Sequence, residues 1–258
     1  MKLFPGILRL TYRLPMMLLH LIFGTPVTVL CQSEWGRSTH LGSVPLSEIT
    51  SRWWSSVICR IFGIRRRIKG EFKSGAQLVA ANHISWLDIA LLHSFASMGF
   101  VAKAEINSWP LLGGLARAGA TVFHQRGCHD SANGVAVAMV NRLKEDRRVA
   151  IFPEGGILPG DGVKLFHARM FAAAIDADRP VQPVMLRYLR NGKRYDDITF
   201  LRGEHFAANF FRLLIQKPCM AEVHVLPLIE SSGKQRRPLA NETELQVRAA
   251  FESDIGDD

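Results

Sequence analysis

The sequence predicts an α/β fold with a central mixed sheet flanked by helices, preceded by a membrane-associated helical segment. Three observations carry that expectation. Between about residues 70 and 229, short apolar runs alternate with longer helix-like stretches. Residues 14–33 form a run of twenty positions without a formal charge. A chain of 258 residues, 48% hydrophobic, is long enough to bury one large domain.

The N-terminal run follows Lys2, Arg9 and Arg13 and is long enough to span a bilayer. Gly24 and Pro26 interrupt it, and a proline inside a helix removes a hydrogen bond, so a shallow or re-entrant helix is as well supported as a full span. The charged start also fits a secretory signal, but no small-x-small cleavage site follows. In residues 49–64, Trp53, Trp54, Val57, Ile58, Ile61 and Phe62 fall near helical spacing ahead of Arg65, Arg66 and Arg67. That pattern suits a helix at headgroup depth and equally an amphipathic helix over a core.

In the body the strand candidates are 77–81, 100–102, 121–123, 149–152, 181–186 and 221–225, with a helix over about 131–144. The tail reads as a last helix with Asn241 as N-cap and Glu244 three residues on, before an acidic end. The expected organisation is an N-terminal membrane-associated region at 1–67, an α/β domain at 68–230, and a C-terminal helix and tail at 231–258.

The 32 Lys and Arg against 23 Asp and Glu give a net charge of +9, which points to an anionic partner. The arginines and aromatics form no nucleic-acid reading motif, and the apolar N-terminus draws the chain to lipid, so no nucleic acid partner is expected. The four cysteines are scattered with no CxxC pair, the pattern of free thiols on a cytoplasmic face. His124, Cys128 and His129 cluster, but no second ligand pair completes a zinc-like spacing, so no metal is expected.

The segment Asn82-His83-Ile84-Ser85-Trp86-Leu87-Asp88 sits where an apolar strand ends and a helix begins. A histidine is suited to take a proton near neutral pH, and a nearby carboxylate can fix its tautomer and stabilise the imidazolium. A turn at His83 brings Asp88 within reach. Taken alone, a His and an Asp at this spacing are as readily an N-terminal capping cluster.

The segment resembles the NHxSxxD block of the glycerolipid acyltransferase family, typified by the lysophosphatidic acid acyltransferases and described as PlsC-like. Further blocks follow in the family's order. Lys103 with Glu105, Trp109, Pro110 and Gly113 resembles its lysine-containing stretch, and Phe123-His124-Gln125-Arg126-Gly127 its second block. Phe152-Pro153-Glu154-Gly155 matches the third and Val181-Gln182-Pro183-Val184 the fourth, so that the resemblance covers residues 53–228.

The resemblance implies an enzyme that moves a fatty acyl chain from acyl-CoA or acyl carrier protein to the free hydroxyl of a lysophospholipid. The first expected acceptor is 1-acyl-sn-glycerol-3-phosphate, giving phosphatidic acid. No cofactor is implied beyond the thioester co-substrate. The place of work would be the membrane leaflet, on the cytoplasmic face of a bacterial inner membrane. His83 would be the general base and Asp88 its orienting partner, which makes a serine or cysteine nucleophile unnecessary. Arg126 would hold the acceptor's phosphate, assisted by Lys103. Glu154 would bind an acceptor hydroxyl or a backbone amide, and amides near Gly155 and Gly156 are candidates for an oxyanion site.

One departure matters. The family's best-known third block continues with Thr and Arg, where this chain has Gly156 and Ile157. That loss weakens the case for a dianionic lysophosphatidate acceptor and leaves Lys103, Arg126, Lys164 and Arg169 to compensate. The following Gly160-Asp161-Gly162 and Phe166-His167-x-Arg169-x-Phe171 resemble a branch that acylates lyso-ornithine lipid. Two rivals of other classes are a basic membrane-bound scaffold with an inert His-Asp pair and a lipid hydrolase. Retention of the complete pair opposes the first. The second lacks both G-x-S-x-G and H-E-x-x-H.

Overall fold

The computed structural model describes residues 4–103, 121–124, 129–157 and 162–253. Helix α1 (Phe4–Leu19), a π-helical turn (His20–Gly24) and α2 (Thr25–Cys31) follow one another without a break. Gly24 and Pro26 therefore do not end the helix. Pro26 stands in the first turn of α2, where its missing N–H costs least, and the wider π turn takes up the change of register before it. Arg13, Met17, His20, Thr25, Thr28 and Cys31 recur at three- to five-residue spacing and are buried against the protein. The opposite face leaves Leu8, Leu19, Ile22, Phe23 and Leu30 more than half exposed.

A short helix, α3 (Glu34–Ser38), and an antiparallel pair, β1 (His40–Leu41) with β2 (Val44–Pro45), lead into α4 (Leu46–Ile61). The α4 side chains Trp54, Ile58 and Ile61 are buried in the core and, of its large apolar side chains, only Trp53 is substantially exposed, so this helix covers the domain. Arg65, Arg66 and Arg67 continue from it into the sheet. They belong to β3 (Ile64–Lys69), an edge strand of the main sheet, where Arg66 donates to Ser56 Oγ at 2.7 Å and Arg67 lies 3.8 Å from Glu222. The expected boundary after residue 67 falls inside this strand.

The main sheet also contains β4 (Leu78–Ala81), β5 (Gly99–Lys103), β6 (Val122–His124), β7 (Val149–Ile151), β8 (Val181–Arg190), β9 (Lys193–Arg194) and β10 (Cys219–Val225). Among the described residues the order is β3-β10-β8-β4-β7-β5-β6, with β9 paired to β8. Strands β8, β4, β7, β5 and β6 run parallel and β10 is antiparallel to β8, which gives the mixed sheet the sequence predicts. Val79 and Ala81 of β4 face one apolar layer with α4, α5 (Leu87–His93) and α8 (Phe206–Ile215). Leu78 and Ala80 face the other, with α6 (His129–Lys144), α7 (Ala172–Ala177) and α9 (Arg236–Glu252).

Strand β8 runs four residues past its expected end, because Arg187 is carried into the sheet by a partner. Its Nε and Nη2 donate to Glu222 Oε2 on β10 at 3.1 and 2.8 Å. The last helix starts six residues earlier than expected, after Gln235, so Asn241 is not its N-cap. Leu239, Thr243, Val247 and Phe251 set its buried face, and Pro238 is tolerated in the first turn. Glu244 accepts from the Phe166 amide at 2.8 Å instead of closing a capping box.

Candidate active site

Parallel strands present their carboxyl ends along one edge of a sheet, and clefts form there. Strand β4 delivers Asn82 and His83 to that edge, β7 delivers residues 152–155, and β5 ends at Lys103. The Lys103 side chain lies outside the described residues, as do Arg126, Glu105, Trp109, Pro110 and Gly113 of the expected blocks. What the structure brings together is His83, Asp88, Phe152 and Glu154.

The loop that carries the pair is pinned at both ends. Asn82, 2% exposed, donates through Nδ2 to the Leu186 carbonyl at 2.9 Å and accepts from the Leu186 amide at 2.7 Å, in effect extending the β4–β8 ladder with its side chain. Asp88, in the first turn of α5 and fully buried, folds its carboxylate back over the loop. Its Oδ2 accepts from the Ile84 amide (2.7 Å), the Ser85 amide (2.9 Å) and His83 Nδ1 (2.9 Å). With Nδ1–H given to the carboxylate, the neutral ring keeps its lone pair on Nε2, the nitrogen free to take a proton. The His83 ring lies nearly parallel on Phe152, with centroids 3.9 Å apart and an interplanar angle of 11°, which fixes the plane of the imidazole.

Glu154 is buried, and its two oxygens join two loops. Oε2 accepts from the His83 amide at 3.4 Å and Oε1 from the Lys164 amide at 3.1 Å. Burial pushes its carboxyl above the usual range, and the Lys164 and His83 amides oppose that shift. Of the roles expected for Glu154, the backbone-amide one is the geometry observed. Gly155 has φ +81° and lets the chain turn tightly beside His167. Its amide donates to the Phe152 carbonyl at 3.2 Å, within the turn.

Ser85 is fully buried, and its Oγ accepts from the Leu87 amide at 3.4 Å, so it is a structural hydroxyl and not a nucleophile. Trp86 fixes the middle of the loop. Its Nε1 donates to Asn209 Oδ1 at 2.9 Å, and its ring lies 5.2 Å from Phe206 and 5.3 Å from Phe62. Asn209 Nδ2 in turn donates to Glu204 Oε2 at 2.8 Å. Asn209, Glu204 and Tyr188 stand a hundred residues or more from the motif, and the Tyr188 hydroxyl donates to Asp88 Oδ1 at 2.7 Å. No local spacing singles these residues out. They become visible only once β8 and α8 are placed beside β4.

Residues 64–187 match the profile of a family described as acyltransferase. The chain is 34% identical over 207 residues to the lyso-ornithine lipid O-acyltransferase of Pseudomonas aeruginosa, covering 80% of each chain. The chain belongs to the acyltransferase family. Another member, the 1-acyl-sn-glycerol-3-phosphate acyltransferase of Neisseria gonorrhoeae, is 41% identical over 118 residues, which is 45% of this chain and 46% of that one. The fold of this acyltransferase matches the crystal structure of the 1-acyl-sn-glycerophosphate acyltransferase PlsC from Thermotoga maritima, with a TM-score of 0.76 at 19% identity, over 98% of this chain and 97% of that one. The protein is thus an acyltransferase of the PlsC type.

Proposed function

We propose that this acyltransferase moves a fatty acyl chain from acyl-CoA or acyl carrier protein to the free hydroxyl of a lysolipid held in the membrane leaflet. The observation that carries the reading is the His83–Asp88 contact at the carboxyl edge of the sheet, with Nδ1 engaged and Nε2 left to act. His83 Nε2 takes the proton of the acceptor hydroxyl as its oxygen attacks the thioester carbonyl. Asp88 holds the imidazolium that forms. Collapse of the tetrahedral species breaks the carbon–sulfur bond, and the imidazolium returns its proton to the leaving thiolate.

For the acceptor we favour lyso-ornithine lipid. The relatives of that name in Pseudomonas aeruginosa and Rhodobacter capsulatus align with 80% and 76% of this chain. The absence of an arginine at Ile157 agrees with an acceptor that carries no phosphate dianion. The second reading, 1-acyl-sn-glycerol-3-phosphate, is supported by the higher identity to the Neisseria enzyme over the 118 residues aligned. Arg126 and Lys103 are the residues assigned to headgroup contact in either case. The attachment to lipid is assigned to the exposed apolar face of α1 and α2, which have the length and composition of a membrane helix. A transfer assay with purified protein decides between the acceptors. Lyso-ornithine lipid and lysophosphatidate are each supplied with acyl-CoA and with acyl carrier protein. Higher kcat/KM with lysophosphatidate would overturn the acceptor assignment, and no transfer to either would overturn the function.

A further inference from the structure

Asp88 is served from two sides. The three donors on Oδ2 all come from its own loop, whereas Oδ1 accepts from across the sheet, from the Tyr188 hydroxyl of β8 at 2.7 Å. Tyr188 is 2% exposed and sits two residues beyond Leu186, whose backbone holds Asn82. Side chains two apart on a strand share a face. One short stretch of β8 therefore grips both ends of the loop from Asn82 to Asp88.

A carboxylate is free to turn about its Cβ–Cγ bond, and a donor on each oxygen removes that freedom. A phenol hydrogen bond also takes part of the charge of Oδ1, and so tunes how strongly Oδ2 draws on the His83 Nδ1 proton. We infer that Tyr188 is a positioning residue for acyl transfer, its hydroxyl fixing the orientation and charge of Asp88 and, through it, of His83. This inference rests on the assignment of His83 and Asp88 as the catalytic pair.

The surroundings suit a neutral donor. Burial and the facing Asp88 carboxylate raise the Tyr188 hydroxyl well above its ordinary range, so it stays protonated. The other titratable groups facing it are Cys59 of α4 and Cys219 of β10, thiols that burial pushes up to about 12 and about 11. Arg66 of β3 acts on Cys59 from the far side, and Glu154 faces His83 and Asp88 from the β7 turn. The acid carboxylates and the imidazole are thus the groups left to shape the profile at low and neutral pH.

Tyr188→Phe deletes one oxygen and keeps the ring. The loss of one hydrogen bond to a charged group lowers kcat about tenfold, while KM for donor and acceptor stays within about twofold. Without the phenol on Oδ1 the carboxylate charge bears more fully on the His83 Nδ1 proton and stabilises the imidazolium, so the acid limb of kcat against pH moves upward. A second measurement keeps the tyrosine ring and its hydroxyl at position 188. The chain has three tyrosines. With Tyr12 and Tyr195 replaced by Phe, incorporation of 3-fluorotyrosine places a stronger donor at position 188 and moves the same limb downward relative to the unfluorinated parent. A pH profile unmoved in both proteins, or a fall in activity that tracks loss of folded protein alone, overturns the inference. His83→Ala, assayed beside them, separates the two levels. A silent His83→Ala with unmoved Tyr188 variants removes only the role of Tyr188, and an active His83→Ala removes the catalytic pair.

Discussion

The imidazole of His83 is constrained on three sides: Asp88 holds Nδ1, Phe152 covers one face, and Glu154 holds the backbone amide. Its side chain is only 12% exposed, so replacing it removes the proton acceptor together with the Phe152 contact and one donor to Asp88. His83→Ala therefore lowers kcat by roughly 10² to 10⁴ in protein that still folds, with a modest drop in melting temperature. Asp88→Asn is impaired as severely and is also less stable, because an amide offers one acceptor oxygen where four donors converge. Circular dichroism and a radiolabelled transfer assay on both variants check this, and near-normal turnover by His83→Ala would end the mechanism. The pair was legible through the resemblance of residues 82–88 to the family block, because the five-residue spacing alone also suits a capping cluster. Tyr188 was not, since its contact exists only through the parallel register of β4 with β8. Glu154 was legible as a motif member, but its use as a clamp between two backbone amides depends on where residues 162–166 return.

The end of α8 shows how the N-terminal helix and the catalytic loop are joined. A helix C-terminus carries unpaired carbonyls and a partial negative charge. Here Arg13 donates to the carbonyls of Leu214 and Gln216 at 2.9 Å, and Arg9 to Ile215 at 3.0 Å. Arg13 is only 2% exposed and passes over Gly63, where φ is +73° and a Cβ would lie 2.4 Å from its Nη2. Arg13→Met is accordingly destabilising by about 2 kcal/mol, read as a melting-temperature drop of roughly 5 °C. At the start of the same helix, the Arg212 hydrogen bond holds Glu204 down to about 2, aided by the Leu201 amide and Asn209. A depressed carboxylate contributes stability above its unfolded range and loses it as pH falls through the folded value. The wild type should lose melting temperature between about pH 4.5 and pH 2 more steeply than Glu204→Gln. Parallel curves across that window would show that the pair contributes nothing. Sequence periodicity found six of the strands of the sheet but not β3, because three successive arginines hide an edge strand whose charges are met by Ser56 and Glu222 from neighbouring elements.

A lysolipid acceptor lies in the leaflet, so the carboxyl edge of the sheet has to be held at headgroup depth. The apolar run at residues 14–33 was plain in the sequence, whereas its mode of attachment was not, since that depends on which face the folded domain takes. The structure gives the face containing Arg13 and Met17 to the protein and leaves Leu19, Ile22 and Phe23 at 56%, 60% and 65% exposure. A helix tied down along one side by buried hydrogen bonds is placed to lie in the interface, with its free side among the acyl chains. The segment at residues 49–67, which the sequence fits equally to headgroup depth and to a helix over the core, forms α4 and β3 of the domain. Attachment should therefore survive a high-salt wash, because it rests on apolar burial and not on screened charges. Deleting residues 1–31 is a poor test, as it also strips the cap from α8. Substitution on the free face is cleaner. Leu19→Ser, Ile22→Glu and Phe23→Ser together remove about 5 kcal/mol of apolar burial in lipid, roughly a thousandfold or more in partitioning, without touching Arg13. Fractionation should then move most of the triple variant to the soluble fraction while its melting temperature and its turnover on detergent-dispersed acceptor stay near wild type. Retention of the triple variant on membranes through the salt wash would mean that another surface of the protein, and not this face, carries the attachment.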